Sequence, residues 1–267
     1  MISRSLLTVF LLLCLGTRAL AGIVFTSLPN PNVYPMFIIL DQQYLAAEFV
    51  PARGGVAQLL ALLKSGKANV TYLNRQPAQI MADQQGWQPL EATIRKAVYL
   101  ISYAPVTGRD DINRLKIISA FPGGSPDMIF RAGNFSVTPK YTDLFMAIQL
   151  FLKKDFDALL LPEPHISRIA GVLREKGIDF TITDMQEMAP VKDCLVINGG
   201  VALPDVDTDQ VKAAFDKATA FIRADPERAA RIIAADFQRY FGKEVPEAAV
   251  LEALASGRLL FATEESH

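Results

Sequence analysis

The sequence predicts an α/β protein of two lobes, and three observations carry that prediction. Short β-rich runs alternate with helix-spaced apolar stretches from residue 23 onward, the pattern of a parallel sheet with crossover helices. The alternation proceeds to about residue 104 and restarts after Pro105, and two such series in a chain of this length imply two units. The last third carries long amphipathic stripes that read as helices packed on a core.

The elements follow in order. Ile23-Val24-Phe25 reads as a strand ended by Pro29, Pro31 and Pro35, with a short helix over 36–45. Glu48-Phe49-Val50 is a second strand, stopped by Pro51 and Gly54-Gly55. Val56, Leu59, Leu60 and Leu63 share one helical face, closed by Gly66, as helix periodicity and a C-terminal glycine require. Val70 to Leu73 is a third strand, followed by a helix from Pro77 to Gln85. Residues 97–104 form another β-rich run. The second series begins with a strand over Leu115 to Ile118 and a turn, Phe121 to Pro126, that opens a helix with Ser125 as its cap. A strand over Phe156 to Leu161, a helix over Pro164 to Lys176 and a strand over Ile178 to Ile182 complete it. Residues 193–201 are strand-like and lead back toward the first lobe. Val211, Ala214, Phe215, Ala218, Phe221 and Ile222 mark a core-facing helix. Asp225-Pro226-Glu227 then supplies the cap, first-turn proline and acidic first turn of the next.

The amino terminus indicates the compartment. Arg4, the apolar run Leu6 to Leu15 and the small residues Ala19-Leu20-Ala21 have the order of a cleavable secretory signal, and the run is short for a spanning helix. Cys14 raises lipidation, but Leu11-Leu12-Leu13 before it lacks the small residue that such sites carry. A periplasmic protein cleaved before Gly22 is therefore expected. Residues 1–21 hold Arg4, Arg18 and no acid, so the remaining 246 residues carry 25 basic against 28 acidic side chains, a balance of −3. That balance, without a dense basic patch, gives no reason to expect a nucleic-acid partner. Cys194 is the one cysteine after residue 21, which excludes an internal disulfide, and it reads as a packed core thiol. The two histidines are His165 and the last residue, His267, too few for a His/Cys metal site, and no cofactor motif is present.

Candidate binding residues fall at strand ends, where open α/β sheets place ligands. Gly123-Gly124-Ser125 joins a strand to a helix. Its glycines admit close approach of a ligand and its free amides suit an oxygen-rich group, although a plain turn would also use glycine there. Glu163 is held extended before Pro164 at the end of a strand, either as a ligand contact or as an acid favouring the helix dipole. His165 follows it, with no Ser or Cys partner evident for catalysis. In the first lobe, Asn30, Asn32 and Tyr34 follow the first strand, and Asn74-Arg75 follows the third. Arg75 suits either a carboxylate or sulfonate clamp or a surface salt bridge. Trp87 reads as a packing residue.

The order of these motifs resembles the type 2 periplasmic solute-binding proteins, in the branch serving nitrate, sulfonate, taurine and thiamine-precursor importers. Tyr34-Pro35 resembles that branch's first ligand loop. Glu48 to Pro51 with Gly54-Gly55 and Leu59 to Val70 resembles its second strand, turn, helix and third strand. Asp111 to Lys116 with Gly123-Gly124-Ser125, Phe156-Asp157-Ala158 through Glu163-Pro164, and Asp225 to Ala230 resemble its second lobe and late helix. The resemblance spans about residues 23 to 240 and departs at Pro29 to Asn32, Asn74-Arg75 and Pro162. It implies a lobe divided as 22–104 and 197–267, a second lobe over 105–196, and hinge crossings near 103–107 and 196–201. It further implies a monomer that traps a small polar or anionic solute and delivers it to an ABC permease. The ligand set would come from Asn32, Tyr34, Asn74, Arg75, Gly124, Ser125, Glu163 and His165. An enzyme on the same fold, resembling the chorismate-processing enzymes, and a sensory module for a membrane receptor are the alternatives.

Overall fold

A computed structural model describes residues 22–189 and 198–261. The expected signal peptide, with Cys14, lies outside the described residues, as do Cys194 and His267. The first series comprises β1 (Ile23–Ser27), a 3-10 turn at Pro31–Val33, α1 (Tyr34–Asp41), β2 (Ala47–Pro51), α2 (Gly55–Lys64), β3 (Val70–Asn74), α3 (Arg75–Gln85) and β4 (Gln88–Leu90). After β5 (Ile94–Lys96), the second comprises β6 (Val98–Ser102), α4 (Arg109–Ile112), β7 (Ile117–Ser119), α5 (Ser125–Ala132) and β8 (Lys140–Tyr141). It continues through α6 (Leu144–Leu152), β9 (Ala158–Pro162), α7 (His165–Glu175), β10 (Thr181–Asp184) and α8 (Met185–Met188). The chain then returns through β11 (Asn198–Ala202) to α9 (Thr208–Ala224), α10 (Pro226–Phe241), α11 (Glu247–Ala255) and β12 (Leu260–Phe261).

Two five-stranded mixed sheets result, ordered β2-β1-β3-β11-β4 and β10-β6-β9-β7-β8. β1 runs parallel to β2 and β3, and β7 runs parallel to β8 and β9. The antiparallel members are the strands next to the passages between sheets: β11 against β3 and β4, and β6 against β9 and β10. Both faces of each sheet are covered. On β6 and β9, Tyr99, Ile101, Leu159 and Leu161 pack with α6 and α7, while Val98, Leu100, Ala158 and Leu160 pack toward Ile129 and Phe130 of α5. Strand alternation thus buries apolar side chains on both sides and reads in sequence as an unbroken apolar run.

In the first sheet, one face meets α2 and α3 through Leu59, Leu63, Ala78 and Met81. The other meets α1, α9 and α10, where Phe215 sits between Phe25 at 5.8 Å and Tyr72 at 4.4 Å, centroid to centroid. Burying a side chain such as Phe215 stabilises the fold by roughly 2–3 kcal/mol. Gly200 of β11 is where Tyr72 needs room, since a Cβ there would come within 2.8 Å of its ring. The long C-terminal helices begin as their sequence indicates. Asp207 accepts from the Asp209 and Gln210 amides, and Asp225 from that of Arg228 with Pro226 in the first turn. These bonds satisfy amides that a helix start leaves open.

Two expectations shift. β6 belongs to the second sheet, in register Val98↔Pro162 to Ser102↔Ala158, so the chain leaves the first sheet between Leu90 and Val98 rather than near 103–107. The end of the β-rich run at Pro105 marks the end of a strand, and the long-range pairing with β9 decides which sheet owns it. The return passage is complete by Asn198, the first residue of β11. Residues 193–197 of the expected strand lie outside the described residues. Helix α6, absent from the sequence reading, is capped by Asp143, which accepts from the Met146 amide at 2.9 Å.

Candidate ligand-binding cleft

The carboxyl ends of β1 and β3 in one sheet and of β7 and β9 in the other border a shared cavity of about 700 Å³. Its wall draws on the loop after β1, the ends of β3 and β9, the turn before α5, the start of α7, and the segment joining α10 to α11. Strand ends are where peptide groups and loop side chains become available to a ligand.

Seven of the eight sequence-predicted residues border this cavity: Asn32, Tyr34, Asn74, Gly124, Ser125, Glu163 and His165. Arg75 does not. It is exposed at the first position of α3, immediately beyond the strand end that Asn74 occupies. Tyr34 is 1% exposed and belongs mainly to the core, with Phe237 and Phe261 at 6.3 and 6.1 Å. Its hydroxyl is held well above the ordinary phenol range by burial, and further by the charge of Glu163.

Asn32 accepts from the Asn198 side-chain amide at 3.2 Å. Asn198, fully buried, donates also to the Thr93 hydroxyl and accepts from the Thr93 and Ile94 amides at 2.9 and 2.8 Å. Gln186 fixes the same passage from the other side, accepting from the Ala97 amide and donating to the Arg95 carbonyl. The segment between the sheets is therefore clasped by side chains from β11 and α8.

The glycine turn is built by Asp127. Its carboxylate accepts from the Gly123 amide at 2.7 Å, the Tyr141 hydroxyl at 2.6 Å and Arg131 Nε at 2.7 Å. Burial opposes ionisation of this carboxyl, but the three donors prevail and hold its pKa below the usual range. Gly123 has φ 75°, the left-handed region that favours glycine. Gly124 occupies the cap position and Ser125 is the first helical residue, so the helix starts one position earlier than the sequence suggests.

Glu163 is fully buried, and both oxygens are taken by protein donors. Oε2 accepts from the Ser167 amide at 2.9 Å, while Oε1 accepts from the Ser167 hydroxyl at 3.0 Å and from Arg258 Nε at 2.6 Å. Burial pushes its carboxyl up, against the opposing pull of Ser167 and Arg258. Arg258 also donates to Glu252, which pairs with Arg174 of α7. His165 lies 6.0 Å from the Phe121 ring at 26°, stacked. Burial, and then the charge of Arg168, push its pKa down to about 4, so it is neutral at pH 7.

Residues that sequence reasoning missed include Phe121, Arg168, Arg53 and Lys243, all on the cavity wall, and Arg258 behind it. Arg168 had a usable signal, because it stands three residues after His165 on a helix and so shares its face. Arg258 had none, being 95 residues from its partner. Among the described residues no three or more His, Cys, Asp or Glu are grouped to hold a metal ion. None of the described helices is long and apolar enough to cross a membrane.

No family model and no curated protein matches the sequence. Solved structures do match. An ABC transporter protein from Parabacteroides distasonis superposes with TM-score 0.67 at 15% identity, over 91% of this chain and 86% of that one. The periplasmic aliphatic sulphonate binding protein SsuA from Escherichia coli gives 0.64 at 17%, over 92% and 86%. The fold is that of the type 2 periplasmic solute-binding proteins. A putative nitrate transport protein from Thermoplasma volcanium gives 0.52 at 16% identity, over 88% and 82%. These superpositions show a shared fold, and identities this low leave the ligand to the chemistry of the cavity wall.

Proposed function

We propose that this chain is the solute-binding component of an ABC-type importer, exported behind a signal peptide over residues 1–21 and acting in the periplasm as a monomer. The observation that carries the reading is the cavity of about 700 Å³ lined by strand ends from both sheets, a volume suited to a small organic ligand. Residues 22–92 with 198–261 form one lobe and 98–189 the other, meeting at the passages around Thr93 to Ala97 and before Asn198. A solute held between them would favour a closed arrangement by its stronger contacts in that state. The permease would then receive the closed form.

Ser125 would offer its backbone amide to an oxygen-rich group, the Gly124 amide being taken by the Phe121 carbonyl at 2.9 Å, with Asn32 and Asn74 as polar contacts and Gly124, Tyr34 and His165 as walls. Glu163 serves as the anchor of the wall rather than a ligand contact, because Ser167 and Arg258 take its oxygens. The alternatives, an enzyme on this fold or a receptor module, gain no specific support from the site. Among the described residues His165 is the one histidine on the wall, and it stacks on Phe121. Thermal-shift screening against sulfonates, carboxylates, amino acids and pyrimidines tests the reading. It expects a concentration-dependent rise in Tm for at least one class. No shift across the panel, with no small molecule co-purifying by native mass spectrometry, would overturn it.

A further inference from the structure

Phe121 is a poor residue for the place it occupies unless its ring is used. Its φ is 60°, where a bulky side chain is an outlier that surrounding structure must hold in place. The residue is 40% exposed and joins none of the buried apolar clusters of the described residues. It borders the cavity and stacks on His165, giving two aromatic faces side by side on one wall. The cavity is also lined by apolar side chains of Pro29, Pro31, Ile94, Leu144 and Pro162.

The charges on the wall point to the sign of the occupant. Of the acids there among the described residues, Glu163 is paired to Arg258, which leaves Glu244. Among the cations, Arg53 donates to the Tyr240 carbonyl, whereas Arg168 is exposed on α7 one turn from His165 and forms no salt bridge among the described residues. Lys243 adds a second positive charge. A cationic ligand would meet those two with one acid to offset them. At about 700 Å³ the space is also much larger than an inorganic anion needs and lies in the range of drug-sized molecules, roughly 300–1,000 Å³.

We infer that the cleft takes a planar aromatic anion, its ring stacked on Phe121 and its acidic group toward Arg168. This deepens, and rests on, the solute-binding reading above. An aromatic ring prefers an offset or tilted face of this kind, and such pairs change affinity by up to about tenfold beyond simple burial.

Calorimetric titration with naphthalene-2-sulfonate, cyclohexanesulfonate and 2-naphthylmethylammonium tests the inference, because the probes separate ring from head-group charge. The naphthalene sulfonate should bind about tenfold tighter than the saturated sulfonate, and the ammonium should bind weakest. Phe121→Leu should remove most of the first preference and leave cyclohexanesulfonate within about twofold. Phe121→Gly should do the same while raising Tm, since glycine tolerates the left-handed backbone, which separates lost stacking from damage to the fold. Arg168→Gln should weaken both sulfonates to a similar extent. Equal affinity for the two sulfonates, no effect of Phe121→Leu, or tighter binding of the ammonium would overturn the aromatic-anion inference and leave solute binding standing. Failure of every probe and of the wider solute panel would overturn both.

Discussion

Glu163 and Arg258 meet at 2.6 Å across 95 residues of sequence, joining the end of β9 to the turn after α11. The pair is embedded: Glu163 is fully buried and the Arg258 side chain 17% exposed. Glu252 and Arg174 extend it toward the surface of α7. The network fastens the C-terminal helix to the second sheet's unit directly behind the cavity.

Removing one partner of such a pair leaves an uncompensated buried charge. Arg258→Ala should destabilise the protein by about 3–5 kcal/mol, whereas Glu163→Gln combined with Arg258→Met should cost less than the two changes summed. Urea denaturation of the four proteins in the cycle measures this coupling. Additive effects would mean that the pair contributes nothing beyond its separate parts.

His165 should make the protein acid-sensitive. Its folded pKa near 4 lies below the ordinary value of 6.5, so the unfolded chain takes up the proton first. This contribution to stability is present above about pH 6.5 and is lost as pH falls toward 4. Replacement by Phe should flatten that part of the stability–pH curve. Urea midpoints between pH 4 and 7 provide the comparison, with an NMR titration of the His165 ring as the direct check.

Asp127→Asn should loosen the glycine turn. The amide keeps an acceptor for the Gly123 N–H but loses the charge that Arg131 and Tyr141 now meet. A cost of about 2 kcal/mol is expected. The folded carboxyl's lowered pKa gives stability above about pH 4 that is lost as pH falls through its folded value, and the asparagine variant should lack this dependence. Ligand affinity should fall with it, measured by calorimetry.

Asn198→Ala should weaken the clasp between the sheets. It strands the Thr93 and Ile94 amides in a buried setting, at a cost of about 2–4 kcal/mol. Amide hydrogen exchange should show faster exchange confined first to residues 93–97. Uniform acceleration across both sheets would argue that Asn198 supports overall stability rather than the passage.

Much of this architecture was legible because local rules and tertiary packing agree. The spacing of Leu59 and Leu63, the cap at Asp225-Pro226 and the strand-to-helix turn at Gly123 all specify what forms, whereas Val56, expected on the same helical face, is 50% exposed. Helix α6 was not legible, since Leu144 to Leu152 is apolar at nearly every position and has no clear face to read. Sheet membership of β6 was hidden for another reason: a strand buried on both sides states that it is central, not which sheet it enters. In the site, glycine, asparagine and acid positions stood out at strand ends. The neutralisation of Glu163 by Arg258 and the tilt of Phe121 onto His165 depend on distant segments, so neither was visible locally.

The position of β11 has a further consequence for the order in which the molecule assembles. Among the described strands β4 pairs within its sheet only through β11, so Gln88–Leu90 must wait for Asn198–Ala202, more than 100 residues later. The β6–β10 sheet, by contrast, has all its strands once residue 184 exists. The half that begins later in the sequence can thus reach its native pairing earlier, and the half containing the amino terminus matures last, because long loops must close before its contacts form.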